Sequence, residues 1–380
     1  MEIFKYFNDV SDNPALYARK WKKEKGGRII GTFCSYAPEE IILAAGALGF
    51  RIFGTSPDIS KADAHLQTYS CSLVRHALDD ALAGKLEFLD GTIFPHTCDS
   101  IQRLSDIWRI NAKTGFHIDA IMPVKLNTKS AQAYMLDVLK KFKTDLENRL
   151  NLEIPNQDLK TAVDVCNRIR QTVNRIYEIR QKHPGIIQGG NLYAVVKAAM
   201  IMDRFEFLEL LTELVQDIEN KAGISNQTGP ELFNSTKRLV LTGCICNTPD
   251  IHTIIENAGG TVVYDDLCIG TRYFGSHIDT QAGDIMDGIA EHYLQRIVCP
   301  AKHSGTKSRV ESLIKIARQS RANGVIFIIL KFCDPHSFDY PYITRILKQE
   351  KIPCMILEME KHFSLDGQFK TRCEAFIEML

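Results

Sequence analysis

Two stretches of the chain alternate short apolar runs with amphipathic segments, and a long run of helical periodicity separates them. This alternation constrains the fold most. Parallel strands cannot be joined by tight hairpins, so strands alternating with helices imply βαβ units and a mostly parallel sheet. In the first stretch "GRIIGTF" (27–33), "FRIFG" (50–54), "LDGTIF" (89–94) and "FHIDAIMPV" (116–124) predict strands. The helices expected between them are "PEEIILAAGAL" (38–48), "SLVRHALDDALAG" (72–84) and "SIQRLSDIWRI" (100–110). The first opens with proline and two acids, which suit the first turn and the positive end of the dipole.

From Asn127 the pattern is helical through "SAQAYMLDVLKKFKTDLENRL", "QDLKTAVDVCNRIRQTVNRIYEIRQKH" and "NLYAVVKAAMIMDRFEFLELLTELVQDIENK". The Gly, Ser, Asn, Thr and Pro of "AGISNQTGPELFNST" (222–236) predict a linker. A second alternating stretch starts at "KRLVLTG" (237–243), with further strands expected at "TVVYDD", "VIFIIL" and "IPCMILEM" and helices between and after them. The expected organisation is an N-terminal α/β domain (1–126), a helical segment with linker (127–236) and a C-terminal α/β domain (237–380). A chain of 380 residues is too long for one typical core, which agrees with this division.

Lys+Arg and Asp+Glu both number 46. That balance argues against nucleic acid or an acidic membrane surface as the main partner. No run approaches the about 18 apolar residues of a membrane span. The start, "MEIFKYFNDVSDNP", lacks the basic and apolar regions of a signal peptide. The expected location is therefore the cytoplasm, where 11 cysteines do not form a disulfide framework.

Ligands of parallel α/β sheets bind beyond the carboxyl ends of the strands, so cysteines at element ends matter most. Cys34, Cys98, Cys244, Cys246, Cys268 and Cys333 follow predicted strands, and Cys71 starts a helix. Cys166, Cys299, Cys354 and Cys373 fall in or near the end of other elements and are expected to be small buried hydrophobes. Soft thiolates at the corners suit an iron–sulfur cluster, but no CxxC pair is present, and spacing alone leaves chance placement open. Neither a phosphate-binding loop nor GxGxxG nor GxSxG is found, so no ATP or dinucleotide site is expected.

Four stretches, "GTFCSYAPEEIILAAGALGFRIFG", "YSCSLVRHALD" with "DGTIFPHTCDSIQRLSDIW", "DDLCIGTRYF" and "LKFCDPHSFDYPYI", together with the terminal "TRCEAFIEML", resemble the 2-hydroxyacyl-CoA dehydratase family. That family includes the ATP-dependent benzoyl-CoA reductases. The resemblance covers essentially the whole chain and is closest to the D-component type of subunit.

The resemblance implies two flavodoxin-like parallel-sheet domains with a helical segment between them. It also implies one four-iron four-sulfur (4Fe-4S) cluster held by Cys71, Cys98 and Cys333. With three cysteines for four irons, one iron stays open to the substrate. The implied reaction is ketyl-radical loss of water from a 2-hydroxyacyl-CoA, giving an enoyl-CoA. It needs a separate ATP-dependent activator, a low-potential electron donor and a homologous second subunit or a second copy of the chain. The alternatives are a benzoyl-CoA (aromatic acyl-CoA) reductase subunit and a double-cubane electron-transfer protein with more cysteine ligands.

Cys34 and Cys268 lie in the resembling motifs and are possible extra ligands, while the roles of Cys244 and Cys246 stay open. Ser35, Glu39 and Glu40 are placed beside the cleft: Ser35 and Glu39 are the catalytic candidates, with helix capping the favoured role of the two acids. His96 and His117 are expected to make structural hydrogen bonds. Arg272 is either a surface charge or a partner for a CoA phosphate.

Overall fold

Four short strands, β1 (Ile29–Thr32), β2 (Leu48–Arg51), β3 (Gly91–Phe94) and β4 (Phe116–Asp119), pair in parallel in the order β2-β1-β3-β4. Four longer strands, β5 (Lys237–Gly243), β6 (Gly260–Asp266), β7 (Gly324–Leu330) and β8 (Cys354–Met359), repeat the plan in the order β6-β5-β7-β8. The computed structural model describes residues 2–55, 58–221, 223, 236–245, 250–280, 283–296, 299–302, 305–359 and 367–380. Helices cover the sheets, as the apolar character of β1, β3 and β7 requires, since these strands are buried throughout. The expected α/β class with two parallel sheets is the observed one. Most of the linker expected at 222–236, and Cys246, lie outside the described residues.

Two details depart from the periodicity. The helix expected over 191–221 is two helices, Gly189–Ala198 and Arg204–Lys221. The carboxylate of Asp203 accepts the amides of Phe205 (3.0 Å) and Glu206 (3.2 Å) and so starts a new helix. The turn between them brings the Met200 carbonyl to the Arg51 amide at 2.9 Å. Two helices, Glu2–Asp12 and Pro14–Lys25, also precede the first strand. They are anchored by Tyr17, which donates to Glu206 (2.7 Å), and by Trp21, which donates to Asp203 (3.1 Å).

The helix Asn156–Lys182 ties the two halves together. Asn167, Arg170, Asn174, Tyr177 and Arg180 recur at three- and four-residue spacing and lie along one face. Asn167 donates to the Ile278 carbonyl (2.8 Å) and Asn174 to that of Phe274 (3.2 Å), while Tyr177 donates to Asp265. Arg170 pairs with Glu39 (3.2 Å) and Glu40 in the N-terminal half. Arg180 bonds the Val262 carbonyl of β6 (2.7 Å) and pairs with Glu256 (3.0 Å).

Beside Arg180, His252 is buried, and burial first and the Arg180 charge second push its pKa down to about 3. An unfolded histidine titrates near about 6.5, so between that pH and about 3 only the unfolded chain takes the proton. Stability therefore falls with pH through this window, by about 1 kcal/mol per unit from this residue. In His252→Gln, the drop in urea midpoint between pH 7 and pH 5 is expected to shrink.

Gly243 closes β5 opposite Ile328 of β7 with φ +141°. A Cβ there would meet the Ile328 carbonyl oxygen at 1.9 Å. Gly243→Ala is expected to cost at least about 2 kcal/mol, read as a lower urea midpoint, because the backbone must leave both its conformation and its pairing. The next residue is Cys244, so the shift would reach the cavity described below.

Candidate metal centre

The strand orders place a switch point between β1 and β3 in one sheet and between β5 and β7 in the other. Cys34, Cys98, Cys244 and Cys333 follow those four strands, and all line one cavity of about 120 Å³ between the sheets. Phe33, which lines it, stacks on Phe94 with centroids 4.6 Å apart, and Trp108 meets Phe33 edge-on at 5.1 Å. This buried aromatic cluster packs the segments that carry Cys34 and Cys98 against each other.

Cys71, Cys98 and Cys333 share one local geometry. Each is the N-cap of a helix: Ser72–Leu82, Asp99–Asn111 and Asp334–Gln349 respectively. Three helix N-termini thus converge on one cavity, and their free amides favour negative charge there. Without a metal, burial wins over the amides. It pushes the Cys71 thiol up to about 12, with Cys333 adding to it. Burial, then Cys71, holds Cys98 well above the usual thiol range. Cys333 is raised by its hydrogen bond to Cys244 and then by burial. Metal binding would displace these protons and turn burial from a penalty into a shield.

Cys244 is fixed by the backbone: its Sγ accepts the Leu330 amide at 2.9 Å and lies 3.4 Å from the Ile328 carbonyl. Among the described residues, the group of three ligand-type atoms within 4.8 Å of one another is Glu39, Glu40 and Cys166, away from this cavity. The cavity thiols therefore stand too far apart in threes for one tetrahedral zinc, whose sulfurs lie within about 4 Å. A polynuclear cluster suits the wider spacing.

Cys34, Cys268 and Cys299 line the same cavity. Burial raises Cys268 to about 12, against the lowering effect of Arg272, and raises Cys299 to about 11 with Cys34 adding to it. Cys299 corrects the expectation of a core thiol near a helix end. The helix before it stops at Gln295, and Cys299 reaches the cavity. It follows a helix rather than a strand, so looking in strand-to-helix corners misses it. Cys166 and Cys373 are buried away from the cavity, and Cys354 lies in β8.

His336, three residues after Cys333, is a cavity residue that no sequence pattern singles out. Its Nδ1 is 3.3 Å from the Cys333 Sγ and its Nε2 is 3.1 Å from Arg272 Nη1. A guanidinium only donates, so Nε2 accepts and Nδ1 keeps its hydrogen toward the sulfur. Arg272 is itself gripped by Asp266 at 2.7 and 2.8 Å and donates to the Gly243 carbonyl at 3.0 Å. It is neither an exposed charge nor free for a phosphate: a buried pair orients it toward His336 and Cys268.

Of the other candidates, Ser35 lines the cavity, with its hydroxyl donating to the Cys268 carbonyl at 3.0 Å. Glu39 and Glu40 lie behind the wall. Glu39 accepts from Arg170, Arg204 (3.4 Å) and Tyr273, and buried Glu40 accepts from Arg170 and from Tyr293 (3.0 Å). Neither makes a side-chain cap at the start of its helix. His96 and His117 hold Asp119 at 2.7 and 3.2 Å, and Ser105 bonds both His117 and Asp119. Despite partial burial, these bonds keep the Asp119 carboxyl well below the usual carboxylate range.

The family model described as 2-hydroxyglutaryl-CoA dehydratase, D-component, matches residues 34–380. The (R)-phenyllactyl-CoA dehydratase beta subunit of Clostridium sporogenes is 27% identical over 379 residues, covering 100% of this chain and 99% of that one. The lactoyl-CoA dehydratase subunit beta of Anaerotignum propionicum is 26% identical, covering 100% and 98%. A benzoyl-CoA reductase subunit of Thauera aromatica is 26% identical over 343 residues, covering 88% and 86%. No helix among the described residues is long and apolar enough to cross a membrane.

Proposed function

Since the chain belongs to the 2-hydroxyglutaryl-CoA dehydratase D-component family, we propose that it is the iron–sulfur subunit of a 2-hydroxyacyl-CoA dehydratase, with Cys71, Cys98 and Cys333 as ligands of a 4Fe-4S cluster. One observation carries this reading: three thiols, far apart in sequence, each cap a helix that ends on one cavity at the switch points of two sheets. When bound, such a cluster supplies a low-potential electron for an acyl thioester. The chain's own residues do the rest. Cys244 and His336 hold Cys333 in place, and Asp266 fixes Arg272. The partner is a homologous second subunit or a second copy, and a separate ATP-dependent activator delivers the electron.

A second reading is favoured by the other wall. Cys34, Cys268 and Cys299 form a further trio on the same cavity, which fits a double-cubane cluster bound within one chain. A reductase of aromatic acyl-CoA thioesters shares the first reading's ligands and differs in substrate.

The test is anaerobic purification, iron and sulfide analysis, then incubation with the activator and a panel of acyl-CoA thioesters. About four irons per chain with loss of water from a 2-hydroxyacyl-CoA supports the first reading, and about eight supports the second. Consumption of benzoyl-CoA alone points to the reductase. A chain isolated without iron under these conditions would end all three.

A further inference from the structure

Four of the buried arginines are held by carboxylates, Arg170 by Glu40, Arg180 by Glu256, Arg204 by Glu39 and Arg309 by Asp339, and Arg238 is held by the backbone carbonyls of Ser320 and Gln181. Arg51 is different. It ends β2, is 5% exposed and lines the cavity. Its Nε has no hydrogen-bond partner, and among the described residues no carboxylate lies within 4.0 Å of its guanidinium. Arg296, 6% exposed on the same cavity, likewise has no carboxylate within 4.0 Å among the described residues. It bonds the Ser35 carbonyl and His292 Nε2 (2.9 Å), and its Nε is likewise unpartnered.

Arginine does not shed its proton in proteins, and a buried charge without a counter-ion is costly. Glu39 and Glu40 act on these two cations only from beyond ion-pair distance and are paired with Arg170, so an anion in the cavity is the direct counter-ion that the two guanidiniums lack. Cys34 and Cys268 exert the strongest side-chain electrostatic pull on Arg51, ahead of Tyr273 and of Glu39, whose carboxylate is itself taken up by Arg170, Arg204 and Tyr273. Arg296 bonds the residue after Cys34 and precedes Cys299 by three positions. Both cations thus flank the wall formed by those three thiols.

We propose that Arg51 and Arg296 form an anion site on the Cys34–Cys268–Cys299 wall, where they hold the negative charge of a thiolate-bound metal–sulfur group. This rests on the second, double-cubane reading above, in which Cys34, Cys268 and Cys299 also carry metal, and it adds a role that no cysteine supplies. The two guanidiniums are positioning residues: they favour the more negative, reduced state of the occupant and so raise its reduction potential.

The test uses the full chain, metal-free and anaerobically loaded, as wild type, Arg51→Met and Arg51→Gln. Metal-free Arg51→Met is expected to melt a few degrees higher than wild type, because an unpaired buried charge is gone. In the loaded protein the same change is expected to weaken electron affinity about tenfold, a fall of about 59 mV for a one-electron couple. Arg51→Gln is expected to shift both readouts in the same directions.

A structural arginine would give a lower melting temperature in both forms, and that result overturns the proposal. So does an unchanged potential at full metal content, or failure of both variants to fold. A wild-type protein without iron would sink the iron–sulfur reading itself. In that case, stabilisation by added succinate in wild type but not in Arg51→Met would assign the anion to a carboxylate ligand and overturn the metal–sulfur assignment.

Discussion

Cys98→Ala, purified without oxygen, is expected to lose the iron and the visible absorbance of the loaded wild type almost completely. The thiol of Cys98 leaves β3, caps the helix Asp99–Asn111 and faces the same cavity as Cys71 and Cys333. In the proposed set of three cysteines, removal of one would leave two thiolates to hold the cluster. Methyl replaces thiol inside a buried corner, so the fold itself should lose little. Controls sharpen the result. Cys166→Ala and Cys373→Ala remove thiols that are buried elsewhere, and both are expected to keep full iron content. Absorbance unchanged in Cys98→Ala would remove that residue from the ligand set.

The largest effect on stability is expected at Arg170. Its guanidinium is 2% exposed and joins the helix Asn156–Lys182 to Glu39 and Glu40, the latter wholly buried. Burial works to raise the Glu40 carboxyl, but the charges of Arg170 and Arg296 and the Arg170 hydrogen bond keep it below its ordinary value. Arg170→Met leaves that carboxylate buried with its main counter-ion gone. Breaking a buried pair in this way costs about 3–5 kcal/mol, read as a lower urea midpoint at neutral pH. Arg170→Met with Glu40→Gln removes both charges and should recover a large part of the loss. If the double variant is no more stable than the single one, the pair is not what holds this junction.

Much of the architecture was legible in short segments. β5, β7 and the helices around them follow from apolar runs and period, since these depend on residues a few positions apart. Cys34, Cys98, Cys244, Cys268 and Cys333 stand out because parallel sheets gather ligands at the carboxyl ends of their strands, and Cys71 because it starts a helix. The choice of Cys71, Cys98 and Cys333 as a ligand set is legible only through the family resemblance. The break at 199–203 was missed because one carboxylate, that of Asp203, restarts a helix inside an unbroken apolar pattern. Cys299 and His336 were missed for another reason: one follows a helix, and the other reads as an ordinary residue of a first helical turn.

The amino-acid order by itself determined two parallel sheets and the corners where thiols would sit, through local periodicity and the geometry of strand-to-helix joints. Only the tertiary structure decided which distant groups meet. The polar stripe from Asn167 to Arg180 has the look of a solvated helix face, yet it is the clasp between the halves, with partners near 40 and from 256 to 278. In the same way, no local pattern shows that Arg272 has a carboxylate and that Arg51 has none within ion-pair distance among the described residues. Electrostatic pairing and burial depend on separation in space, which the chain settles only when it closes on itself.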